Sequence, residues 1–184
     1  MPHRLTTALD ELRPVLVGID PDQIATACTR IASARRIITV GCGRERLQLS
    51  GLAMRLFHLG LDVAVAGDVT TPPIGAGDLL IASAGPGELA TVTAQMRTAR
   101  DAGTHILFIT AEPETPSAAL AHDILTIPAQ TMARDLGDSA DTILPMGSAF
   151  EGAMFILFEV MVLMLREKLS ITPEDMRARH TNLE

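Results

Sequence analysis

Short apolar runs alternate with longer helical stretches along most of the chain. The apolar runs are bounded by Gly or Pro, which is typical of buried strands. We predict five strands: Arg36–Val40, Asp62–Ala66, Leu79–Ser83, His105–Thr110 and Ile124–Ile127. Strands that alternate with helices build a parallel sheet with helices on both faces, so the pattern predicts an α/β fold.

Helical patterns precede the first strand and separate most of the others. We predict helices at Leu5–Val17, Asp20–Ala34, Leu47–Leu59, Glu88–Ala102 and Ser117–Ala121. Asp20-Pro21 begins the second helix with an N-cap residue and a Pro in the first turn. The segment Gly67–Pro73 between the second and third strands has too many turn residues for a helix. We therefore expect an irregular connection there.

The last long helix, Ser148–Lys168, is apolar on nearly every side. Such a helix must be buried all round, and a chain of this size rarely encloses one of that length completely. We therefore expect part of it to lie in a subunit interface of a homodimer or homotetramer. The sequence Thr172-Pro173-Glu174-Asp175 then predicts a capped short helix before a polar tail.

Length and composition favour one globular domain, because the 184 residues include 47% apolar side chains and no linker or repeat. Within it we distinguish leading helices (1–35), a sheet region (36–147) and a C-terminal region (148–184). The net charge of −7 and the absence of Trp and Tyr weigh against a nucleic-acid partner. Glu151 and Glu159 interrupt the most apolar stretch, which weighs against a membrane partner. The N-terminus lacks a signal-peptide pattern, so we expect a cytoplasmic protein.

Cysteine and histidine spacing gives no metal or disulfide pattern. The two cysteines are too few for a disulfide framework, and the five histidines are scattered along the chain. We therefore predict no metal site.

Three glycine-containing loops are candidates for ligand binding. They are Val40–Arg46, Ser83–Glu88 and Pro145–Ser148, and each precedes a predicted helix. In a parallel sheet, ligands bind beyond the carboxyl ends of the strands, where helix N-termini favour anions. A dinucleotide loop is a weaker interpretation, because Arg46 stands where that motif needs its third glycine.

Several longer motifs resemble a known family. The motifs are Gly41-Cys42-Gly43-Arg44, Ala53-Met54-Arg55-Leu56-Phe57-His58-Leu59-Gly60, Gly77-Asp78-Leu79-Leu80-Ile81, Pro145-Met146-Gly147-Ser148-Ala149-Phe150-Glu151 and Arg179-His180-Thr181-Asn182-Leu183-Glu184. Together they resemble the 6-phospho-3-hexuloisomerases, which belong to the sugar isomerase (SIS) domain proteins. The resemblance implies a single SIS-type domain with a five-stranded parallel sheet, flanked by helices as in a flavodoxin-like three-layer sandwich, and active sites at subunit contacts.

The implied reaction interconverts arabino-hex-3-ulose 6-phosphate and fructose 6-phosphate through an enediolate, without a cofactor. On this resemblance Glu151 is the base, His180 is a proton donor that reaches a neighbouring subunit's site, and His58 is a further catalytic candidate. Binding of the sugar phosphate is assigned to Gly43, Arg44, Ser83, Gly85, Gly87, Glu88 and Ser148. A base in an apolar environment has a raised pKa, which suits proton abstraction near neutral pH.

Two observations keep an alternative open. Ser148-x-x-Glu151 fits a capping box, in which both side chains only start the last long helix. The chain also departs from the family's usual loops. Glu45 and Arg46 replace Ser and Gly, and Ala84, Pro86 and Leu89 replace three hydroxyl residues. The alternative is a non-catalytic SIS-fold protein with a degraded phosphate loop, which binds a carbohydrate derivative or has a regulatory role.

Overall fold

The computed structural model of the chain describes residues 2–132 and 142–183. Residues 133–141, which belong to the predicted sheet region, and Glu184, the last residue of the closing motif, lie outside this part. The described chain forms one all-parallel sheet with strand order β2-β1-β3-β4-β5. The strands are β1 (Ile37–Val40), β2 (Val63–Val65), β3 (Leu79–Ser83), β4 (His105–Thr110) and β5 (Asp123–Thr126). The predicted α/β class and five-stranded parallel sheet are confirmed.

The helices are α1 (Pro2–Val17), α2 (Pro21–Ser33), α3 (Gly43–His58), α4 (Ala90–Asp101), α5 (Ser148–Lys168) and α6 (Pro173–Ala178). Helices α2, α3 and α5 pack on one face of the sheet, and α4 packs on the other. Each face of the sheet has its own apolar core. Alternate strand residues supply the two cores: Ile37 faces the first and Ile38 the second. This is a three-layer arrangement.

Two helices differ in length from the sequence prediction. Helix α3 begins at Gly43, four residues before the predicted start at Leu47, so the first loop is short. The predicted helix Ser117–Ala121 is only a 3₁₀ turn, Ala118–Leu120. The segment between β2 and β3 contains no helix, as expected. The early start of α3 matters most, because it puts Arg44 and Glu45 on the first helical turn.

The two predicted helix starts near the C-terminus have different outcomes. Thr172 and Asp175 form a reciprocal capping box at α6, as predicted. The capping box that Ser148-x-x-Glu151 fits, which the sequence left open as an alternative, does not form, because Gly147 is the N-cap residue of α5 and no side chain caps that helix. Gly147 has a φ of 84°, a left-handed conformation that glycine adopts without strain. Glu151 is therefore not used for capping.

Helix α5 is long and apolar enough to span a bilayer, but half of that stretch is buried inside the fold. Its inner face includes Phe150, Leu157 and Leu165. On its outer face Phe155 and Leu163 remain exposed. The expectation that α5 is only partly enclosed by its own chain is therefore correct.

Candidate active site

A cavity of about 510 Å³ opens at the carboxyl edge of the sheet. The loop after β1, the loop after β3 and the first turn of α5 form most of its wall. Residues from the segment after β5 complete the wall. All three loops that the sequence nominated contribute, and they meet here because the carboxyl ends of parallel strands share one edge.

Arg44 connects the start of α3 to the start of α5. Its Nε lies 2.9 Å from Glu151 Oε2, its Nη1 donates to Ser148 Oγ at 3.0 Å, and its Nη2 donates to the Met146 carbonyl at 2.6 Å. The planar guanidinium fixes several acceptors at once, which a lysine could not do. Arg44 therefore holds the Glu151 carboxylate in one orientation at the cavity wall.

The turn that leads into α5 has an unusual backbone. Met146 has a φ of 55° and Gly147 one of 84°, so two successive residues are left-handed. This conformation is costly for Met146, and such strain persists only where neighbouring contacts hold it. The hydrogen bond from Arg44 to the Met146 carbonyl is one of those contacts. The turn directs the first residues of α5 into the cavity.

Glu45, the next residue after Arg44, points to a different wall. Its carboxylate accepts a hydrogen bond from Ser83 Oγ and one from the Gly85 amide, at 3.0 Å to Oε1 and 3.1 Å to Oε2. Glu45 is only 8% exposed and also lines the cavity. The sequence marked this glutamate as a departure from the family pattern, but it did not predict these contacts.

Burial shifts the pKa values of both cavity carboxylates upward. The pKa of Glu151 is raised by burial and by the negative charge of Glu45, while Arg44 partly opposes the shift. Burial also raises the pKa of Glu45, although its hydrogen bonds from Ser83 and Gly85 work in the opposite direction. A carboxylate with a raised pKa is a stronger base when it is ionised, so Glu151 suits proton abstraction.

The cavity contains one further polar group that the sequence analysis missed. Thr131 lines the wall and is 2% exposed. Its Oγ1 has no hydrogen-bond partner within residues 2–132 and 142–183. A buried hydroxyl without a partner is costly, and a ligand hydroxyl could satisfy it. Only the position of Thr131 after β5, at the same edge of the sheet, could have suggested it.

The remaining predicted binding residues have different positions. Gly43 and Ser148 line the cavity, whereas Ser83 and Gly85 lie behind it and bind Glu45. Gly87 is buried against Glu112 and Thr115. Glu88 is exposed in the turn before α4, outside the cavity lining. The second loop therefore contacts the cavity through Pro86 and Leu89 rather than through Gly87 and Glu88.

His58 and His180 lie together, but away from the cavity. Their ring centroids are 5.1 Å apart, and the neighbouring Arg179 donates to the His58 carbonyl at 3.2 Å. His58 ends α3, and a 16-residue helix is about 22 Å long. Because α3 begins at the cavity, its other end is remote from Glu151. Within one chain the structure does not bring the histidines to the base.

Metal-binding geometry is also absent from the described ranges. Within residues 2–132 and 142–183, no three His, Cys, Asp or Glu side chains are grouped so that they could hold a metal ion. His105 and His122 stack with centroids 4.5 Å apart, but His105 pairs with Asp123 and His122 accepts the Ile106 amide. The cavity instead provides carboxylates, one guanidinium and hydroxyls.

The fold and this site define a class of protein. The family model of the SIS domain matches residues 30–156, and the chain belongs to the SIS domain family. It is 37% identical to the 3-hexulose-6-phosphate isomerase of Mycobacterium gastri over 99% of this chain and 90% of that protein. It is 32% identical to the 3-hexulose-6-phosphate isomerase of Bacillus subtilis over 96% of this chain and 95% of that protein.

A solved structure shows the same fold. The crystal structure of a Methanococcus jannaschii protein, from which a 3-hexulose-6-phosphate isomerase function was inferred, aligns with a TM-score of 0.84. The alignment covers 96% of this chain and 98% of that chain at 24% identity. The expected SIS-type architecture is thereby confirmed.

Proposed function

We propose that this chain is a hexulose phosphate isomerase, which interconverts arabino-hex-3-ulose 6-phosphate and fructose 6-phosphate. The observation that carries the proposal is the position of Glu151, a largely buried carboxylate held by Arg44 at the wall of the cavity. The names of the relatives from Mycobacterium gastri and Bacillus subtilis support the choice of substrate.

The proposed reaction is a proton shift between two neighbouring carbons. The Glu151 carboxylate takes the proton from C2 of the 3-ketose, and the electrons of that C–H bond form the C2–C3 double bond of an enediolate. The protonated Glu151 then returns the proton to C3. A second proton moves from O2 to O3, so that the carbonyl group ends at C2. Arg44 and the Thr131 hydroxyl are the nearby donors that could stabilise the enediolate oxygens.

Solvent exchange tests this mechanism directly. Fructose 6-phosphate incubated with the protein in heavy water should acquire deuterium at C3, because the reverse reaction removes that proton. Deuterium at C1 instead would indicate an aldose–ketose isomerase. Glu151→Gln should lower exchange by about two to four orders of magnitude, since it removes the base. The variant keeps the size of the side chain and loses only an ion pair with the half-exposed Arg44, so the thermal stability should change little.

Glu159→Gln is the matched control for that variant. Glu159 lies two turns further along α5 and pairs with Arg55, outside the cavity lining. Its exchange rate should match that of the wild-type protein. Full exchange in Glu151→Gln would show that the base is another group.

We further propose that the protein works as a homodimer or homotetramer in the cytoplasm, with His180 of one copy at the cavity of another. The exposed apolar side chains of α5, Phe155, Val160 and Leu163, support self-association, because a contiguous apolar surface is typical of an interaction site. His58 would enter the same contact, since it lies against His180. In this arrangement His180 moves the proton between O2 and O3.

Mixing two inactive variants tests the shared site. Glu151→Gln and His180→Gln are unfolded and refolded together, so that hybrid oligomers form. If each site combines Glu151 of one copy with His180 of another, the mixture regains about a quarter of the wild-type rate. No gain over the separate variants, in a preparation that sedimentation shows to be mixed oligomers, would contradict the proposed role of His180.

The non-catalytic alternative rests on the altered loops. Glu45, Pro86 and Leu89 line the cavity at positions where the family usually has hydroxyl residues. A regulatory protein would bind fructose 6-phosphate, with a shift in its melting temperature, but would give no deuterium incorporation at C3. Exchange that depends on Glu151 would exclude this alternative.

A further inference from the structure

Glu45 is a buried charged side chain that the proposed proton shift does not use. It is 8% exposed, and its carboxylate oxygens accept hydrogen bonds from Ser83, the last residue of β3, and from Gly85 in the loop that follows. A buried charge is unfavourable unless its surroundings compensate for it. Here the compensation comes from one hydroxyl and one backbone amide, with no cation among the causes of its pKa shift.

The groups that hold Glu45 form a binding site for an oxyanion. Ser83 Oγ–H and the Gly85 amide lie at the carboxyl end of the central strand β3 and converge on the same carboxylate. Hydroxyl and amide donors in this arrangement would bind a phosphate oxygen equally well. We call this pair of donors the β3 anion cradle.

The β3 anion cradle permits close approach because residue 85 has no side chain. A Cβ atom there would lie 3.1 Å from Glu45 Oε1 and 3.1 Å from the Phe150 ring. Both distances are shorter than ordinary van der Waals contact. The glycine therefore lets an oxyanion lie directly against its own amide, and in this chain that oxyanion is Glu45.

The charges around the cavity do not favour a second anion at this wall. Among the described residues that line it, the charged ones are Arg44, Glu45 and Glu151. The positive charge of Arg44 is already balanced by Glu151, from which its Nε lies 2.9 Å, so these three side chains leave the lining with an excess of negative charge. A phosphate group that approached the β3 anion cradle would meet the like charge of Glu45 first.

We propose that Glu45 is a specificity-determining residue, which fills the β3 anion cradle so that the cavity accepts a sugar hydroxyl rather than a phosphate at this wall. The inference rests on the proposed use of the cavity as a sugar site. The Glu45 carboxylate accepts a hydrogen bond from the hydroxyl and orients the ligand. The phosphate of a hexulose phosphate then lies away from this wall and contributes less to affinity.

Binding measurements on two variants test the proposal. Glu45→Ser empties the β3 anion cradle, whereas Glu45→Gln keeps the size of the side chain and removes only its charge. The probes are inorganic phosphate, fructose 6-phosphate and fructose, each titrated calorimetrically into the wild-type protein and both variants. Glu45→Ser should bind inorganic phosphate and fructose 6-phosphate at least about tenfold more tightly than the wild-type protein. Its affinity for fructose should fall by about tenfold, because the hydrogen bond from the sugar hydroxyl to the Glu45 carboxylate is lost.

Glu45→Gln is the second and more conservative variant. It should bind phosphate more tightly than the wild-type protein but less tightly than Glu45→Ser, because the amide removes the repulsion and still occupies the space. A merely structural role would lower the melting temperature without changing the ratio of phosphate to fructose affinity. If Glu45→Ser does not fold, unchanged phosphate affinity in Glu45→Gln overturns the proposal.

Two outcomes separate this inference from the proposed function. Tighter phosphate binding in Glu45→Ser, with no deuterium exchange in the wild-type protein, would support the cradle and reject the isomerase. Deuterium exchange in the wild-type protein, with phosphate bound no more tightly by Glu45→Ser than by the wild-type protein, would support the isomerase and reject the proposed role of Glu45. An equal gain for fructose and phosphate would also overturn the inference, because it would indicate general opening of the cavity.

Discussion

The two edges of the parallel sheet both carry acidic side chains, but they treat the charge in opposite ways. At the amino edge, Asp78 pairs with Arg35 through two hydrogen bonds of 2.9 and 3.0 Å and accepts the Gly75 amide. The hydrogen bond from Arg35 is the main reason why the pKa of Asp78 is lowered. At the carboxyl edge, burial raises the pKa values of Glu45 and Glu151.

The difference separates carboxylates that stabilise from carboxylates that can react. Asp123 at the amino edge is likewise paired, with Arg30 and His105, and its pKa is lowered despite its burial. A carboxylate in this state is a weak base. The carboxyl edge leaves Glu45 without a cation and gives Glu151 only a half-exposed one, so the fold sacrifices some stability at the edge where we propose that the proton is moved.

The largest expected effect comes from Arg44, which is the cation of the reactive edge. Arg44→Met should lower exchange at C3 by about a hundredfold, because Glu151 loses its orientation and the enediolate loses a donor. The acid limb of the kcat/KM profile should also move to higher pH, since Arg44 lowers the pKa of Glu151. Glu45→Gln should move the same limb to lower pH, because Glu45 raises that pKa.

Arg46→Met is the control for these profiles. Arg46 follows Glu45 and pairs with the exposed Asp68 at 3.2 Å, so it keeps the helix context without touching the cavity lining. Its profile should coincide with that of the wild-type protein. Shifts of Arg44→Met and Glu45→Gln in the same direction would contradict the charge assignment.

The second effect concerns the amino edge. Asp78→Ala should lower the free energy of unfolding by about 2–3 kcal/mol, because a buried set of charge-assisted hydrogen bonds is lost. Asp62 pairs with Arg36 and is more exposed than Asp78. Asp62→Ala should therefore lower the free energy of unfolding by less than about 1 kcal/mol. Urea unfolding measures both. Exchange at C3 under native conditions should be unchanged, and a loss of exchange in folded Asp78→Ala would break the contrast between the edges.

The smallest effect is a gain in stability. The pKa of Glu45 is higher in the folded state than in the unfolded state. The contribution of Glu45 to stability therefore falls as the pH rises from the unfolded-state pKa to the folded-state pKa, and it stays low at higher pH. Glu45→Gln should therefore raise the free energy of unfolding at neutral pH by on the order of 1 kcal/mol. The gain should vanish in acid, where Glu45 is protonated. Asp78 behaves in the opposite way, since its stabilisation is lost as the pH falls through its lowered pKa. Denaturant titrations at several pH values measure this difference.

The sequence predicted the sheet and most of the cavity, since both follow from apolar periodicity and from loops at strand ends. Arg44, Ser148 and Glu151 lie together as a consequence. The capping alternative for Glu151 does not hold, because α5 begins at Ser148, as its predicted range has it, and Gly147 is therefore the N-cap residue. A shift of one residue in the N-cap position decides between a capping and a cavity role for Glu151.

Contacts between loops could not be predicted from the chain alone. Glu45 binds Ser83 and Gly85, which are 38 and 40 residues away, and that pairing depends on the packing of α3 against the sheet. Thr131 belongs to no motif and enters the cavity only because β5 ends nearby. The position of His58 was accessible in principle, because a helix that starts at one edge of the sheet must end near the other.

The first turn of α3 gives consecutive residues separate tasks, since Arg44 reaches α5 and Glu45 reaches β3. A mutation of Glu45 can therefore alter ligand preference while the contact of Arg44 to Glu151, the proposed base, is preserved. Proteins with this architecture could diversify their substrates by such single replacements, without rebuilding the catalytic centre.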